Sequence, residues 1–167
     1  MFRPTPDRVR ETLFNWLQGR ISGARCLDLF AGSGALGLEA LSRGAGSARF
    51  VDTEASAARA IQAVAREWGA DNAVIDHCSA AQFLAGKVQP FDVVFLDPPF
   101  SGGLLEPTAL LLEERGWLAD GASIYVEQAR SGSPAQLPER WRLQKSGAAG
   151  AVSYHLYQSA ARQEPRT

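Results

Sequence analysis

Short apolar runs alternate along the chain with segments in which apolar residues recur every three or four positions. Runs of the first kind are typical of buried strands, and the second spacing is typical of helices. The predicted strands are 26–29, 47–51, 73–76, 91–96 and 123–127. Between them we predict a helix that ends near 43, a helix over 53–68, a short helix from 79 and a helix over 104–115. This alternation predicts a parallel sheet covered by helices on both faces.

Each end of the chain adds one element to this succession. Thr5 is predicted as the N-cap of a first helix, followed by a proline and an acid, and this helix ends near Gly19. At the other end, strands predicted over 141–145 and 151–158 flank a glycine-rich connection at 146–150. Polar and apolar residues alternate in the last strand, which predicts an antiparallel hairpin.

The whole pattern predicts one α/β domain over residues 1–160, with three layers and a mostly parallel sheet that ends in a C-terminal antiparallel hairpin. Within it, residues 1–20 form a basic amphipathic helix and residues 25–160 form the core. Residues 161–167 are predicted to be a frayed tail. A chain of 167 residues is long enough to bury a substantial core in a single domain.

Composition argues against several classes of protein. No apolar run approaches the length of a membrane span, and the first residues show no secretory signal. Cys26 and Cys78 lack the CxxC spacing of a metal site, so we expect reduced thiols. We therefore expect a cytoplasmic protein, without a metal or a membrane partner, that acts as a monomer.

The net charge of −1 gives no general reason to expect a nucleic-acid partner. Arginines nevertheless outnumber acids within the first 25 residues, at Arg3, Arg8, Arg10, Arg20 and Arg25. A local basic region of this kind is compatible with phosphate contacts. By charge alone, an ordinary solvated helix face explains it equally well.

A glycine-rich turn follows the first predicted strand. Gly32 and Gly34 lack a Cβ, so the backbone can turn tightly against a ligand. Together with Gly37 they match the GxGxxG spacing, which occurs in dinucleotide sites. Asp28, just before the turn, would repel a pyrophosphate but could accept hydrogen bonds from an ammonium group. These residues favour S-adenosylmethionine (SAM), which carries an ammonium and no phosphate, and a dinucleotide remains the alternative.

Two further strand ends carry candidate ligand-binding residues. Asp52 ends the second strand, where it is placed to accept both hydroxyls of a ribose, or alternatively to cap the next helix. Ser79 and Ala80 follow the third strand and are expected beside an adenine ring. Because ligands of parallel sheets bind at the carboxyl ends of the strands, we expect all these residues at one edge.

The motif Asp97-Pro98-Pro99-Phe100 follows the most continuously apolar strand. The two prolines remove two N–H donors and stiffen the loop, which then presents carbonyl oxygens. With the Asp97 carboxylate and the flat face of Phe100, the motif suits a planar group that carries an amine. Acceptors on the amine hydrogens would direct the nitrogen lone pair at a methyl-sulfonium carbon, and Asp97 could take the proton. The alternative is a strand exit with a solvent-facing acid.

Together these motifs resemble the RsmD family of bacterial ribosomal RNA methyltransferases. The resemblance rests on RPTPDRVRETLFNWL at 3–17, DLFAGSGALGLEALSRGA at 28–45, DPPF at 97–100 and Tyr-Val-Glu at 125–127, and it covers nearly the whole chain. It implies a Rossmann-like class I SAM-dependent methyltransferase fold. It also implies methylation of the exocyclic N2 amine of a guanine in small-subunit (16S) rRNA, as naked RNA or within an assembly particle.

The resemblance further implies a role for each matching position. The implied ligands of SAM and of its product S-adenosylhomocysteine (SAH) are Asp28, Phe30, Ala31, Gly32, Ser33, Gly34, Asp52, Thr53, Ser79 and Ala80. The implied catalytic residues are Asp97, Pro98, Pro99 and Phe100, and the implied RNA contacts are Arg3, Arg8 and Arg10. The family normally carries a basic segment before the motif at which this sequence begins, and loss of that segment is expected to weaken RNA affinity.

Other functions remain open from the residues alone. The DPPF chemistry also suits adenine N6 in DNA or RNA, or a glutamine amide in a protein. A nicotinamide-dependent oxidoreductase would explain GxGxxG but would leave DPPF without a role. An RNA-binding assembly factor that has lost catalysis is a further alternative.

Overall fold

The computed structural model describes residues 5–99, 103–131 and 133–160. Arg3, Phe100 and the predicted tail at 161–167 therefore lie outside the described residues. The elements are α1 (Asp7–Trp16), β1 (Arg25–Asp28), α2 (Ala35–Ser42), β2 (Ser47–Asp52), α3 (Ala55–Trp68), β3 (Ala73–His77), α4 (Ala80–Leu84), β4 (Phe91–Leu96), α5 (Leu105–Glu114), β5 (Leu118–Ala129), β6 (Trp141–Ala149) and β7 (Val152–Ser159). Within these ranges, no helix combines the length and the apolar character needed to cross a membrane.

All seven strands belong to one sheet, in the order β3-β2-β1-β4-β5-β7-β6. Strands β1 to β5 are parallel to one another, and β7 is antiparallel to both β5 and β6. The predicted α/β class and the terminal antiparallel hairpin are thus confirmed. The strand order reverses direction between β1 and β4, which is where parallel sheets bind ligands.

The core is divided between the two faces of the sheet. Phe95 and Tyr125 point to the face covered by α1, α2 and α3, where they join the side chains of Leu13 and Phe14. Val94 and Ile124, their neighbours in sequence, point to the other face, in a core cluster to which α4 and α5 contribute. Successive residues of a strand face opposite sides, so a strand buried on both faces is apolar throughout. This explains the nearly continuous apolar run of β4, in which Asp92 alone is polar and exposed.

The prediction that Thr5 is the N-cap of the first helix is wrong. Pro6 occupies that position, and no side chain caps the helix. The Thr5 hydroxyl instead donates a hydrogen bond to the Glu127 carboxyl group, at 3.2 Å. A contact between residues 122 positions apart in the sequence therefore replaces the local contact.

The predicted connection at 146–150 is also wrong, because strand β6 continues through Ala149. Gly147 pairs with Tyr154 across the hairpin, and a Cβ at Gly147 would lie 2.4 Å from the Tyr154 ring. The glycine therefore makes room for an aromatic ring inside the sheet, and the turn itself is formed around Gly150. The strand β5 likewise begins at Leu118, ahead of the predicted 123.

Candidate active site

The carboxyl ends of β1 to β4 surround one cavity of about 900 Å³. Most of the site residues predicted from the sequence lie on its wall, namely Asp28, Phe30, Ala31, Gly32, Ser33, Asp52, Thr53, Ser79, Ala80, Asp97, Pro98 and Pro99. Strand ends that are remote in sequence meet here because parallel strands present their carboxyl ends at the same edge. The cavity is therefore the candidate active site.

The glycine turn is shaped by packing as well as by its exposure to the cavity. Gly32 and Gly34 have φ values of +56° and +78°, in the left-handed region that side chains disfavour. A Cβ at Gly34 would lie 2.7 Å from Ile61 Cγ1, and one at Gly37 would lie 2.3 Å from the Phe50 ring. Gly34 packs against Ile61 and is not on the cavity wall. Contact between helix and sheet thus accounts for the last glycine of GxGxxG without any dinucleotide.

Asp52 joins the end of β2 to the glycine turn. The Gly32 N–H donates to one oxygen of its carboxylate and the Glu54 N–H donates to the other, each at 2.8 Å. The side chain therefore supports Glu54, the N-cap residue of α3, and lies on the cavity wall at the same time. A half-buried carboxylate in this position can still accept further hydrogen bonds from hydroxyl groups.

Asp28 is the last residue of β1, just before the glycine turn, and it is almost fully buried. The Gly37 N–H donates to its carboxyl group at 3.2 Å. Burial, reinforced by the charges of Asp52 and Glu127, raises the pKa of the Asp28 carboxyl to about 7, against the lowering effect of the Gly37 N–H. A cation placed next to this group would favour its ionised form.

Ser79 and its neighbours, at the end of β3, form a further part of the cavity wall. The Ser79 hydroxyl accepts from the Gln82 N–H at 3.1 Å, and the Gln82 side chain accepts from the Ser79 N–H at 3.0 Å. This capping box begins α4 at the cavity wall. The half-buried Cys78 also contributes to the wall, and its thiol is free.

The rest of the cavity wall is formed by the Asp97-Pro98-Pro99 loop and by one face of α5. Asp97 is half-buried and Pro98 is buried. The side chains from the α5 region were missed by the sequence prediction, and they are Leu104, Pro107, Thr108 and Leu111. Their spacing of three or four residues was a usable signal, because it places them on one helix face. The spacing does not show whether that face meets the sheet or the cavity, which depends on how α5 packs.

The arginines predicted to contact RNA differ in their surroundings. Arg8 is exposed on α1. The Arg10 guanidinium forms ion pairs with Asp7 at 3.0 Å and with Glu39 of α2 at 3.5 Å. Arg10 therefore links two helices, whereas Arg8 remains accessible to a partner.

The cavity wall is acidic. Among its described residues, four are acids, namely Asp28, Asp52, Glu54 and Asp97, and none is Lys or Arg. Such a wall would attract a cation and repel phosphate groups. No group of three or more His, Cys, Asp or Glu side chains in the described part of the chain could hold a metal ion.

Comparison with known proteins identifies relatives over nearly the whole chain. The family model described as "Conserved hypothetical protein 95" matches residues 1–158. Ribosomal RNA small subunit methyltransferase D of Escherichia coli K12 is 49% identical over 162 residues, which cover 97% of this chain and 82% of the relative. Its counterpart from Haemophilus influenzae is 45% identical, with 94% of this chain and 83% of the relative covered.

Solved structures share the fold. The Escherichia coli protein yhhF superposes with a TM-score of 0.91 at 49% identity, covering 96% of this chain and 89% of that chain. An RNA methyltransferase from Salinibacter ruber, solved with S-adenosyl-L-homocysteine, has a TM-score of 0.71 at 16% identity, covering 99% and 98% of the two chains. At that low identity, the second likeness concerns the fold alone.

Proposed function

Because the chain belongs to the RsmD family of ribosomal RNA methyltransferases, we propose that it transfers a methyl group from SAM to the N2 amine of a guanine in 16S rRNA. The observation that carries this proposal is the single cavity in which acidic strand ends meet the Asp97-Pro98-Pro99 loop. The first group of residues suits a cationic nucleoside, and the loop suits an amine.

The cavity fits SAM by the chemistry of its wall. The Asp28 carboxylate is suited to the ammonium group of SAM, and Asp52 is suited to the ribose hydroxyls. Phe30 and Ala80 provide apolar surface for an adenine ring. A dinucleotide would bring its pyrophosphate to an acidic wall, which argues against a nicotinamide-dependent oxidoreductase.

The residues of the DPPF motif align and deprotonate the amine. SAM supplies a methyl group on a positively charged sulfur. The Asp97 carboxylate and the Pro98 carbonyl accept hydrogen bonds from the guanine amine, so its lone pair is directed along the line of displacement. A nitrogen–carbon bond forms as the carbon–sulfur bond breaks, and the amine proton passes to Asp97. Phe100 is proposed to stack on the base because of its place in the motif.

The proposed partner is 16S rRNA, either naked or within a small-subunit assembly particle. Arg3, Arg8 and Arg10 precede or lie on α1, whose first turn follows Thr5 at the cavity wall. Positive charge at this place suits phosphate groups that flank a base inserted in the cavity. We propose that the chain acts as a cytoplasmic monomer.

The direct test is transfer of a labelled methyl group from SAM to rRNA isolated from cells that lack this activity. We expect labelled N2-methylguanosine after digestion and mass analysis. Labelled N6-methyladenosine, or label in protein alone, would instead support one of the alternative amine substrates. Thermal protection of the protein by SAH, with none by NADH, is expected in parallel.

A further inference from the structure

One contact at the cavity wall has no part in the proposed methyl transfer. Thr5 lies on this wall and is buried, with 9% of its surface exposed. Its hydroxyl donates to Glu127 Oε2 at 3.2 Å, across 122 residues of sequence. Glu127 is itself only 3% exposed, so water does not compete freely for this bond.

Glu127 is the neighbour of Asp97 in the sheet. Leu96 pairs with Val126 in the parallel register of β4 and β5, so the next residues of the two strands lie side by side. Phe95 and Tyr125 belong to the same core cluster on the α1 face. Because alternate residues share a face, Asp97 and Glu127 are on that face too. The Thr5 hydroxyl and the Asp97 carboxyl therefore lie on neighbouring parts of one wall.

The bond to Glu127 decides what Thr5 can offer to a ligand. A hydroxyl has one hydrogen to donate and two lone pairs that can accept. With its hydrogen directed to Glu127, Thr5 presents only lone pairs to the cavity. The Asp97 carboxylate and the Pro98 carbonyl are acceptors as well. This part of the wall is therefore built for a ligand edge with adjacent donors.

Guanine has such an edge, because its N1–H lies next to its N2 amine. Adenine has an acceptor at N1, and so has 2-aminopurine, although 2-aminopurine carries the same exocyclic amine as guanine. Opposite Thr5, either of these bases would place a lone pair against a lone pair. A site that leaves buried polar groups unpaired rejects a ligand strongly.

We propose that Thr5, held by Glu127, accepts the N1–H of the target base and so selects guanine. Thr5 is the specificity-determining residue in this scheme, and Glu127 is a positioning residue. The proposal rests on the proposed function, because it specifies which edge of the target base the same cavity reads.

The test compares guanine with 2-aminopurine, which lacks both the N1 hydrogen and the O6 oxygen of guanine. The contribution of O6 is common to all variants, so a change in preference between variants reports on the N1 hydrogen. Small-subunit rRNA fragments are prepared with guanine or 2-aminopurine at the nucleotide that the wild-type protein methylates. The ratio of kcat/KM for the two substrates is then measured for the wild type and for the variants Thr5→Val, Thr5→Ser and Glu127→Gln. Val removes the hydroxyl with little change in shape, and Ser keeps the hydroxyl.

We expect the kcat/KM of the wild type to be at least about tenfold higher for guanine than for 2-aminopurine. A factor of ten corresponds to the upper end of the range for one neutral hydrogen bond. Thr5→Val should reduce this preference by about three- to tenfold relative to the wild type, whereas Thr5→Ser should retain it. Glu127→Gln should weaken it, since an amide N–H could donate to Thr5 and turn the hydroxyl hydrogen toward the base. An unchanged preference in Thr5→Val would overturn the proposal.

Two controls separate this proposal from its premise. The SAH dissociation constant and the unfolding midpoint of each variant show whether the fold and the cofactor part of the cavity persist. If Thr5→Val does not fold, the comparison of Glu127→Gln with Thr5→Ser still decides the question, and equal preferences in these two overturn the proposal. If the wild type methylates no guanine in rRNA, the proposed function fails, whereas methylation of guanine with no dependence on Thr5 refutes only this inference.

Discussion

The cavity has two walls that are held in different ways. The cofactor wall, which we define as residues 28–33, Ala35, Leu36 and Asp52, is closed by hydrogen bonds between residues nine and twenty positions apart. The base wall, defined as Thr5, residues 97–99 and the face of α5 that lines the cavity, depends on the hydrogen bond from Thr5 to Glu127, which spans 122 positions. The first wall is a property of one βαβ unit, and the second exists only when the complete sheet has formed. Cofactor binding and base recognition should therefore respond separately to substitution.

The largest expected effect is a loss of methyl transfer without a loss of cofactor binding. Asp97→Ala should lower the rate of transfer to rRNA by roughly a thousandfold, because the amine loses its acceptor and its base. Its SAH dissociation constant should stay close to that of the wild type, since SAM is assigned to the other wall. Single-turnover transfer and calorimetric titration measure the two quantities.

Asp120→Ala is the matched control for this substitution. Asp120 is an exposed aspartate at the opposite end of the sheet, near the start of β5. Its loss should change neither quantity. If Asp97→Ala weakened SAH binding as much as it slowed transfer, the separation of the two walls would be wrong.

The second largest expected effect is a loss of stability caused by a substitution in the helix that follows the cofactor wall. Gly37→Ala adds a methyl group that would lie 2.3 Å from the fully buried Phe50 ring. Alanine normally favours a helix over glycine by about 1 kcal/mol. Overpacking should outweigh this gain and lower the free energy of unfolding by about 1–2 kcal/mol, as measured by urea denaturation.

The double variant Gly37→Ala with Phe50→Leu tests the physical cause. A smaller side chain at position 50 leaves space for the added methyl group, so Gly37→Ala should cost less in this background than alone. Equal costs in both backgrounds would mean that contact with Phe50 is not the reason for glycine at position 37.

A smaller effect is expected in the pH dependence of SAH binding. The pKa of the Asp28 carboxyl is raised to about 7 by burial, so the protonated form predominates below pH 7. The ionised form pairs with the ammonium group of SAH. Affinity should therefore rise from pH 6 to pH 8, by about tenfold, and level off above the pKa. Titrations over this range measure it.

Asp28→Asn should remove most of that pH dependence. The same raised pKa also affects the stability of the protein without ligand. Because the pKa of Asp28 is lower in the unfolded chain, Asp28 stabilises the folded protein at low pH, and this stabilisation is lost as the pH rises through 7. A wild-type SAH affinity that is constant from pH 6 to pH 8 would contradict the assignment of the ammonium group to Asp28.

The smallest expected effect is on rRNA affinity, through a residue of α1, the helix that follows Thr5 of the base wall. Arg8→Ala should weaken binding of rRNA by about two- to fourfold at moderate salt and reduce the slope of affinity against salt by roughly one, because one phosphate contact is lost. Arg66→Ala, an exposed arginine in the last turn of α3, is the control and should have no effect. Equal effects of the two variants would argue against α1 as the RNA contact.

Much of the fold could be predicted because each signal for it is local. The nearly continuous apolar run of β4 is required for burial on both faces, and glycine is required at position 32 of the turn by its positive φ. The errors arose where a residue serves a distant partner. Thr5 has the chemistry of an N-cap, but Glu127 takes its hydroxyl. Gly147 is a typical turn residue, but Tyr154 of the neighbouring strand occupies the space beside it.

The same distinction applies to the site. Asp28, Asp52 and Asp97 each stand at the end of a strand, so the sequence alone predicted that they would share one edge of a parallel sheet. The sequence could not show the raised pKa of Asp28, which depends on burial beneath other segments. It also could not place Leu104 and Thr108 on the cavity wall, because the direction of α5 depends on how the helix packs.

By itself, the sequence determined the order of strands and helices, the glycine turn and the acidic strand ends, because hydrophobic periodicity and backbone freedom act over a few residues. Only the tertiary structure decided how the base wall is assembled from Thr5, the Asp97 loop and α5, with Thr5 held by Glu127. The physical reason is that a hydrogen bond between distant residues forms only after the sheet has brought them together. No pattern in either segment alone specifies its partner.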